Sequence, residues 1–435
     1  MVFFFLALGL LVVFLLLGQW LGVALGFAAF TALFPVLGVE NFSHLLATFA
    51  WSYSRMFTLS AVPLFVFMGA IASRTGLIAR LFKSFEVLTR GRLPGGLIQP
   101  VIFATAAFGA CSGSSIASAA AFSSIVYPNL KASKYPDSLS TGAIAAGGTL
   151  SILIPPSIML LIYGTIAEVS IAALFIGGII PGIMIAFLFS IYIAIRALLN
   201  PRLIPKGAPS IAEHPKITVK EIVEAAISLG LTSIIMFSIL GPLYLGIATP
   251  TEVASIGVLA VLLLGLICRQ LNWRSIIEAA TDAIQVNGVI FFILFSAVTF
   301  SSTLSYLGLS RIIVSAADII RNPIHILMIV SLFFIAMGMF FDPISMVLVA
   351  LPFMLPFLQA AGFDLLWLGI YMGIQAELAE VTPPVGMNLF VIKGVTNVPL
   401  AEIIRGTFPF MLLLVLGLIV IYLFPQLVLW LPSTM

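Results

Sequence analysis

The sequence predicts an all-α polytopic membrane protein whose chain forms two halves inserted in opposite directions. Hydrophobic residues make up 62% of the 435 residues, charged residues only 8%, and the mean hydropathy is +1.24. Soluble domains carry roughly 25% charged residues, so this composition excludes a largely water-exposed surface. Apolar runs of about 20 residues recur along the chain, each long enough to cross the hydrocarbon core of a bilayer.

These apolar runs should be helices, because backbone polar groups in lipid must be satisfied within the segment. The short alternating stretches of an outer-membrane barrel do not occur in this sequence. We expect about ten spanning helices, near residues 2–17, 20–37, 58–74, 138–165, 171–196, 225–245, 251–268, 287–305, 364–392 and 408–425.

The chain repeats several features at one nearly constant offset. "EVSIAALFIGGIIP" at 168–181 resembles "NVPLAEIIRGTFP" at 397–409, and Pro155-Pro156 precedes Pro383-Pro384 by 228 positions. Each match is weak alone, but together they indicate a duplicated unit. We therefore predict three regions: a first repeat over 1–199, a cytoplasmic linker over 200–222 and a second repeat over 223–435.

Two further apolar stretches, 95–128 and 324–358, are interrupted at their centres by "GACSGSS" and "GMFFDPIS". We interpret them as re-entrant hairpins, in which Gly109 and Gly338 take corresponding positions. Five crossings per half is an odd number, so the second half would be inverted relative to the first. Inverted repeats with helices broken near the midplane, here 138–165 and 364–392, indicate a secondary transporter.

The basic residues predict the orientation. If the linker is cytoplasmic, every Lys and Arg faces the inside except Arg55, Arg311 and Arg321, as the positive-inside rule requires. Both termini would then lie on the outer side of the membrane. The aromatic and polar stretches 40–57 and 272–286 are predicted to be amphipathic helices in the membrane interface.

The first predicted site lies where "GGTLSILIPPS" (147–157) breaks a helix. Gly147 and Gly148 loosen the backbone there, and the two prolines remove two donors. The freed carbonyl oxygens suit a small hard cation such as Na⁺. The tip of the first hairpin would add hydroxyl groups from Ser112, Ser114 and Ser115.

The second predicted site is similar but acidic, and lies around "ELAEVTPPVGMNLF" (377–390). Glu377 and Glu380 are three residues apart, so they share a face of the helix that enters the break. A carboxylate within the membrane indicates a functional site by default. Further oxygen ligands are available from Asp342, Thr382, Gly386 and Asn388.

Structural explanations remain open for each of these features. The paired prolines could form a simple kink, and the serine-rich hairpin could serve close helix packing. Glu377 and Glu380 could be solvated near a membrane face, and Asp342 could only cap a helix.

Together, "AAGGTLSILIPPS", "ELAEVTPPVGMNLF" and "FGACSGSSIASAAA" resemble the large membrane subunit (M subunit) of tripartite ATP-independent periplasmic (TRAP) transporters, over nearly the whole chain. The resemblance implies a small four-helix membrane subunit as partner and a periplasmic binding protein that delivers a carboxylate-bearing solute. It also implies uptake driven by a sodium gradient and an elevator mechanism.

The resemblance also implies residue roles. The first sodium site would involve Ser112, Ser114, Gly147, Gly148 and Thr149. The second would involve Gly338, Asp342, Thr382 and Gly386. The solute would lie between the hairpin tips, near Ser115, Pro155, Pro156, Glu380, Pro383, Pro384 and Asn388. Family substrates include C4-dicarboxylates, sialic acid and other organic acids, and the sequence does not choose among them.

Two other functions stay open. One is a stand-alone sodium-coupled carboxylate symporter or Na⁺/H⁺ antiporter, in which Glu377 and Glu380 would carry protons. The other is a scaffold subunit without transport activity. We expect no enzymatic activity, because no nucleophile–base pair, metal cluster or nucleotide-binding loop is visible. We accordingly expect no cofactor beyond the coupling Na⁺, no transition metal and no nucleic-acid partner.

Overall fold

The computed structural model describes residues 2–90, 92–205, 217–308, 322–338, 340–384 and 386–435. Within these ranges the regular structure is helical, and we number the α-helices in chain order. They are α1 (Val2–Leu16), α2 (Leu21–Ser54), α3 (Ala61–Ala72), α4 (Leu77–Thr89), α5 (Ile98–Ser112), α6 (Ser115–Ile125), α7 (Tyr127–Ala132), α8 (Asp137–Thr149), α9 (Ile158–Ala167), α10 (Ile171–Leu199), α11 (Val219–Tyr244), α12 (Pro250–Ile267), α13 (Trp273–Tyr306), α14 (Pro323–Gly338), α15 (Pro343–Ala360), α16 (Leu365–Glu380), α17 (Met387–Thr396), α18 (Leu400–Leu423) and α19 (Gln426–Leu429).

Six of these helices are long and apolar enough to cross a membrane: α2, α10, α11, α12, α13 and α18. A seventh span is possible if α3 and α4, which meet at a bend of 68°, are counted together. This architecture confirms the predicted class, an all-α polytopic membrane protein. The larger number of ten crossings stays a prediction, because the other predicted spans are short helices or pairs interrupted by breaks.

The segment after α3 differs from the prediction. No helix was predicted between the span at 58–74 and the hairpin at 95–128, but α4 occupies most of this interval. Its buried face carries Leu77, Ile78, Leu81 and Phe82, spaced as an amphipathic helix requires. Charged residues on the opposite face hide this pattern from a search for uniformly apolar runs.

The two predicted interface helices have different outcomes. Gly38 (φ 73°, ψ 173°) is a non-helical break within α2, so residues 39–54 form a distinct helical segment that matches the helix predicted at 40–57, and its place in the membrane interface stays a prediction. Residues 273–286 run without interruption into the rest of α13, so a separate helix at 272–286 is wrong. Asn272 caps α13, since its Oδ1 accepts the Ser275 backbone N–H at 2.8 Å, and no proline follows to end the helix.

Each half contains a helical hairpin and an interrupted helix. The first hairpin is α5 and α6, which meet at Gly113, and the second is α14 and α15, which flank residues 339–342. One interrupted helix is α8 and α9, separated by residues 150–157. The other is α16 and α17, separated by residues 381–386. Both Pro–Pro peptide bonds in these breaks are cis.

The hairpins pack crosswise on the interrupted helices. The return helix α6 of the first hairpin packs on α17, which follows the second break. In the same way, α15 of the second hairpin packs on α9, which follows the first break. Helix α8 packs on α18, and α16 packs on α10. Each half thus contacts the other through equivalent helices, which agrees with a duplicated unit. The inverted relation of the halves stays a prediction.

The predicted linker, 200–222, lies partly outside the described residues, which omit 206–216. Its last four residues belong to α11, and the division of the chain into repeats and linker stays a prediction. Helix α11 begins at Val219 behind a capping box. Within it, the Thr218 backbone N–H donates to the Glu221 carboxylate at 2.9 Å. Of the three basic residues predicted to lie outside, Arg311 and Arg321 also fall outside the described residues.

Candidate functional site

The tip of the first hairpin lies against the first helix break. Helix α5 ends at Gly113, whose φ of 61° is a left-handed conformation that glycine adopts without strain. A Cβ at this position would lie 2.8 Å from the Pro156 carbonyl oxygen. Glycine is therefore required both by the turn and by the close approach to the break.

Four serines form a buried oxygen cluster at this contact. The Ser118 hydroxyl lies 2.9 Å from the Ser112 Oγ and 2.8 Å from the Ser151 Oγ. It also lies 2.9 Å from the Ser114 carbonyl oxygen, to which it can donate. This cluster, which we call the serine cluster, carries no formal charge. Neutral oxygen ligands at such spacing suit a monovalent hard cation.

The glycines of the first break allow α8 to approach the hairpin. A Cβ on Gly148 would lie 3.4 Å from the Ser115 carbonyl oxygen, and one on Gly147 would lie 2.9 Å from Thr105 Oγ1. The Thr149 hydroxyl donates to the Ala146 carbonyl at 2.8 Å, within its own helix and outside the serine cluster, and its role in a sodium site stays a prediction.

Asp342 caps the return helix of the second hairpin. Its carboxylate accepts the Ile344 N–H at 3.1 Å and the Ser345 N–H at 3.3 Å, and it also accepts the Ser345 hydroxyl. Asp342 is therefore a helix cap. The two N–H groups occupy both lone pairs of Oδ2 and the hydroxyl occupies one on Oδ1, which leaves one lone pair of Oδ1 for a cation.

Glu380 joins the first hairpin to the second break. The Ser115 hydroxyl donates to Glu380 Oε1 at 2.7 Å, and the Asn388 amide donates to Oε2 at 3.2 Å. Glu380 is 1% exposed, and its two partners are buried as well. These three residues were predicted separately to bind solute, and the structure brings them together across 265 positions of the chain.

Glu377 lies one helical turn earlier and is fully buried. Neither of its carboxylate oxygens makes a hydrogen bond of normal geometry, although the backbone of Leu153 in the first break faces it. A carboxylate solvated at the membrane face is thus excluded for Glu377. Burial without a partner costs free energy, which points to a functional role.

Backbone oxygens converge around Gly386 in the second break. Gly386 has a φ of 52°, and a Cβ there would lie 2.9 Å from the Glu380 carbonyl oxygen and 3.1 Å from that of Thr382. The Thr382 hydroxyl donates to the Leu378 carbonyl at 2.6 Å. Gly338, at the end of α14, packs closely on Ala379. The second predicted sodium site therefore has carbonyl oxygens available beside Gly386.

Two cavities meet at Asp342. The smaller, of about 40 Å³, lies between the hairpin tips and is lined in part by Ser114, Ser115 and Pro343. It has room for only a few water molecules. The larger, of about 490 Å³, lies between the second hairpin, α2 and α13, and its volume is that of typical small-molecule pockets. Its lining includes Trp20, Gln285, Phe292, Phe340, Asp342, Ser345 and Met387.

The proline pairs shape the breaks rather than supplying side-chain ligands. Pro155-Pro156 places the Pro156 carbonyl against the first hairpin tip, and Pro383-Pro384 lies between Thr382 and Gly386. Two members of the serine cluster were missed in the sequence. Ser118 lies one helical turn after Ser114, and Ser151 follows the glycines of the first break. Both serines lie within motifs quoted above, Ser118 in "FGACSGSSIASAAA" and Ser151 in "GGTLSILIPPS".

Comparison with known proteins agrees with this fold. The family model described as the DctM component of tripartite ATP-independent periplasmic transporters matches residues 8–427. The C4-dicarboxylate TRAP transporter large permease protein DctM of Pseudomonas aeruginosa is 31% identical over 390 residues, which cover 89% of each chain. The ectoine TRAP transporter large permease protein TeaC of Halomonas elongata is 33% identical over 420 residues, covering 96% of each chain.

A solved structure is similar in fold. MtrF of Neisseria gonorrhoeae, reported to illuminate a class of antimetabolite efflux pumps, has a TM-score of 0.57 and 18% identity. The match covers 87% of this chain and 82% of that one. The relatives are permease components of transporters and not enzymes, as predicted. The family match over almost the whole chain is decisive: this multi-pass membrane protein belongs to the TRAP transporters and is their large permease (DctM) component.

Proposed function

We propose that this chain is the transport subunit of a sodium-coupled importer of an organic acid. A periplasmic binding protein delivers the solute, and a small four-helix membrane protein completes the complex in the bacterial inner membrane, with both termini of this chain in the periplasm. Relatives are named for C4-dicarboxylates and for ectoine. We therefore propose a small carboxylic acid as the solute, either a dicarboxylate or an ectoine-like compound.

The observation that supports this proposal is the contact between Glu380, Ser115 and Asn388. It joins the first hairpin to the second break with hydrogen bonds of 2.7 and 3.2 Å. An ionisable side chain this deep in an apolar membrane protein indicates a functional site by default. The small cavity lined by Ser115 adjoins this contact, and we propose that the solute approaches from this side.

The proposed sodium sites rest on oxygen atoms at two positions. The serine cluster supplies hydroxyl oxygens and one carbonyl beside the first break. In the second half, carbonyl oxygens of Glu380 and Thr382 lie near Gly386, and Asp342 adds a carboxylate at the hairpin tip. Oxygen ligands in broken helices are the pattern by which secondary transporters hold coupling ions.

The packing of the helices into two groups is consistent with an elevator mechanism. The hairpins and interrupted helices pack on one another through the pairs α6–α17 and α15–α9. The long helices α2 and α13 pack together and flank the larger cavity from the other side. We propose that the first group moves as one body and carries the solute past the second. In this view the larger cavity is the path to one side of the membrane.

The direct test is uptake into proteoliposomes that contain this chain and its small subunit. An inward sodium gradient is imposed, and a labelled organic acid is added with and without the periplasmic binding protein. Uptake that requires both sodium and the binding protein supports the proposal. Uptake with sodium alone would show a stand-alone symporter, and no uptake under any condition would favour the scaffold alternative.

The unpartnered carboxyl of Glu377 is the observation that favours the remaining alternative, Na⁺/H⁺ antiport. The same vesicles, loaded with a pH-sensitive dye, test it without any solute. A rise of the lumenal pH that accompanies sodium entry and is lost in Glu377→Gln would establish antiport. No proton movement would remove this alternative.

A further inference from the structure

The site around the second break offers more hydrogen-bond acceptors than donors. Glu380 receives one donor at each carboxylate oxygen, whereas neither oxygen of Glu377 makes a hydrogen bond of normal geometry and only the backbone of Leu153 faces it. The Asn388 amide uses its N–H on Glu380, which leaves its buried Oδ1 without a partner. Because buried acceptors are almost always satisfied, a bound species is expected to supply the missing donors.

Within the described residues, no basic side chain pairs with the acids of this region. The ion pairs join Arg74, Lys83, Arg90 and Arg274 to acids elsewhere, and none includes Asp342, Glu377 or Glu380. In this part of the chain, a solute that carried only carboxylates would face three acidic groups with no basic partner.

The larger cavity has matching chemistry. Asp342 lines it together with Trp20, Phe292 and Phe340, whose rings are partly exposed. Aromatic faces and carboxylates are the groups with which proteins bind organic cations. The lining therefore favours a solute whose surface includes a positively charged nitrogen.

We infer that the solute is a zwitterion, which carries an ammonium or amidinium group beside its carboxylate. Its cationic N–H group binds among Glu380, the Asn388 Oδ1 and Asp342, and displaces the Ser115 hydroxyl from Glu380. The carboxylate is left for the bound sodium and the free N–H groups at the start of α17. This inference rests on the proposed transport function and names the solute class of that same site.

A matched pair of solutes separates charge from shape. Pipecolate and cyclohexanecarboxylate share a six-membered ring and a carboxylate, but only pipecolate carries an ammonium group. Ectoine and succinate extend the comparison to an amidinium zwitterion and a dianion. Binding of each is measured by calorimetry on the purified two-subunit membrane complex at saturating sodium. We expect the zwitterions to bind at least tenfold more tightly than the two anions.

Glu380→Gln tests the residue itself. Glutamine keeps the shape and can still accept from Ser115, but it removes the charge. We expect it to weaken zwitterion binding at least tenfold and to leave cyclohexanecarboxylate binding unchanged or tighter. Glu278→Gln is the control, because Glu278 is exposed on α13 and pairs with Arg274. This substitution should leave the binding of both solutes unchanged. A preserved sodium-induced rise in thermal midpoint shows that each variant is folded.

The outcomes are separable from those of the transport test. Equal or tighter binding of the anions, or an unchanged preference in Glu380→Gln, overturns the zwitterion inference and leaves the transport proposal intact. Failure of all four solutes to bind, in a complex that still responds to sodium, overturns the inference and also counts against a solute site at Glu380.

Discussion

The first and second halves use the same packing contact but different chemistry. Gly109 at the end of α5 lies against Ser151, where a Cβ would be 2.8 Å from the serine Cα. Gly338, 229 positions later, lies against Ala379, 228 positions after Ser151. The hairpin thus approaches its interrupted helix through glycine in both halves. Both halves share this close packing of a hairpin glycine on an interrupted helix, whereas the polar side chains around the contact differ between the halves.

The chemical difference is charge. At the positions where the second half has Glu377 and Glu380, the first half has Thr149 and Ile152, 228 positions earlier. Polar groups beside the first break are hydroxyls and carbonyls, and those beside the second include carboxylates. A neutral site can release a monovalent cation without leaving a buried charge behind, whereas an acidic site cannot. We therefore expect charge to affect binding mainly at the second half, where the carboxylates lie.

The shared contact predicts the largest effect. A Cβ in Gly338→Ala would lie 2.0 Å from the Ala379 Cβ, so α14 and α16 must separate. We expect a loss of about 3 kcal/mol of stability, the upper range for overpacking, and a smaller loss for Gly109→Ala. The thermal midpoint of the purified complex measures both. Gly288→Ala is the control, because no atom lies within 4 Å of its added Cβ. Equal midpoints for Gly338→Ala and Gly288→Ala would refute the shared contact.

The charge difference predicts the next effect, at Asp342. Asparagine also caps helices, so Asp342→Asn should keep α15 stable while removing the charge. We expect about a tenfold rise in the sodium concentration for half-maximal uptake, since bonds to charged groups contribute about 1.5–3 kcal/mol. Asp342→Ala should raise it similarly and also lower the thermal midpoint. Unchanged sodium activation in Asp342→Asn would remove Asp342 from the proposed sodium site.

The neutral half predicts the smallest effect. Ser118→Ala removes the hydroxyl that links Ser112 to Ser151. One neutral hydrogen-bonding group contributes about 1 kcal/mol, so sodium activation should weaken severalfold rather than disappear. Ser124→Ala, six residues later on the same helix, is the control, because its exposed hydroxyl bonds only the Ala121 carbonyl. If both variants behave alike, the serine cluster is a packing feature and not an ion site.

Local chemistry explains what could be predicted from the sequence. Proline removes a donor and clashes with the preceding turn, and the structure interrupts helices at Pro155-Pro156 and at Pro383-Pro384. Asp342 before Pro343 predicted a cap, and the contact among Ser115, Glu380 and Asn388 joins residues that had each been chosen for their chemistry.

Other features depend on the path of the chain through space. Nothing local shows that α6 packs on α17, because the two helices are far apart in sequence. Ser118 acquires its role only when the first break brings Ser151 within 2.8 Å. Helix α4 was missed because its charged face lowers its average hydropathy, and α13 was divided because an amphipathic start does not imply a break.

The crosswise packing has a consequence for biosynthesis. Helix α6 presents a serine-rich surface whose partner α17 begins about 260 residues further along the chain. At 5–20 residues per second, translation takes roughly 13–50 s to produce that partner. During this interval the nascent first hairpin is in the membrane with hydroxyl groups that have no final partner. The contact of α6 with α17 therefore forms only after the second half has been synthesised, and the first half on its own lacks this contact.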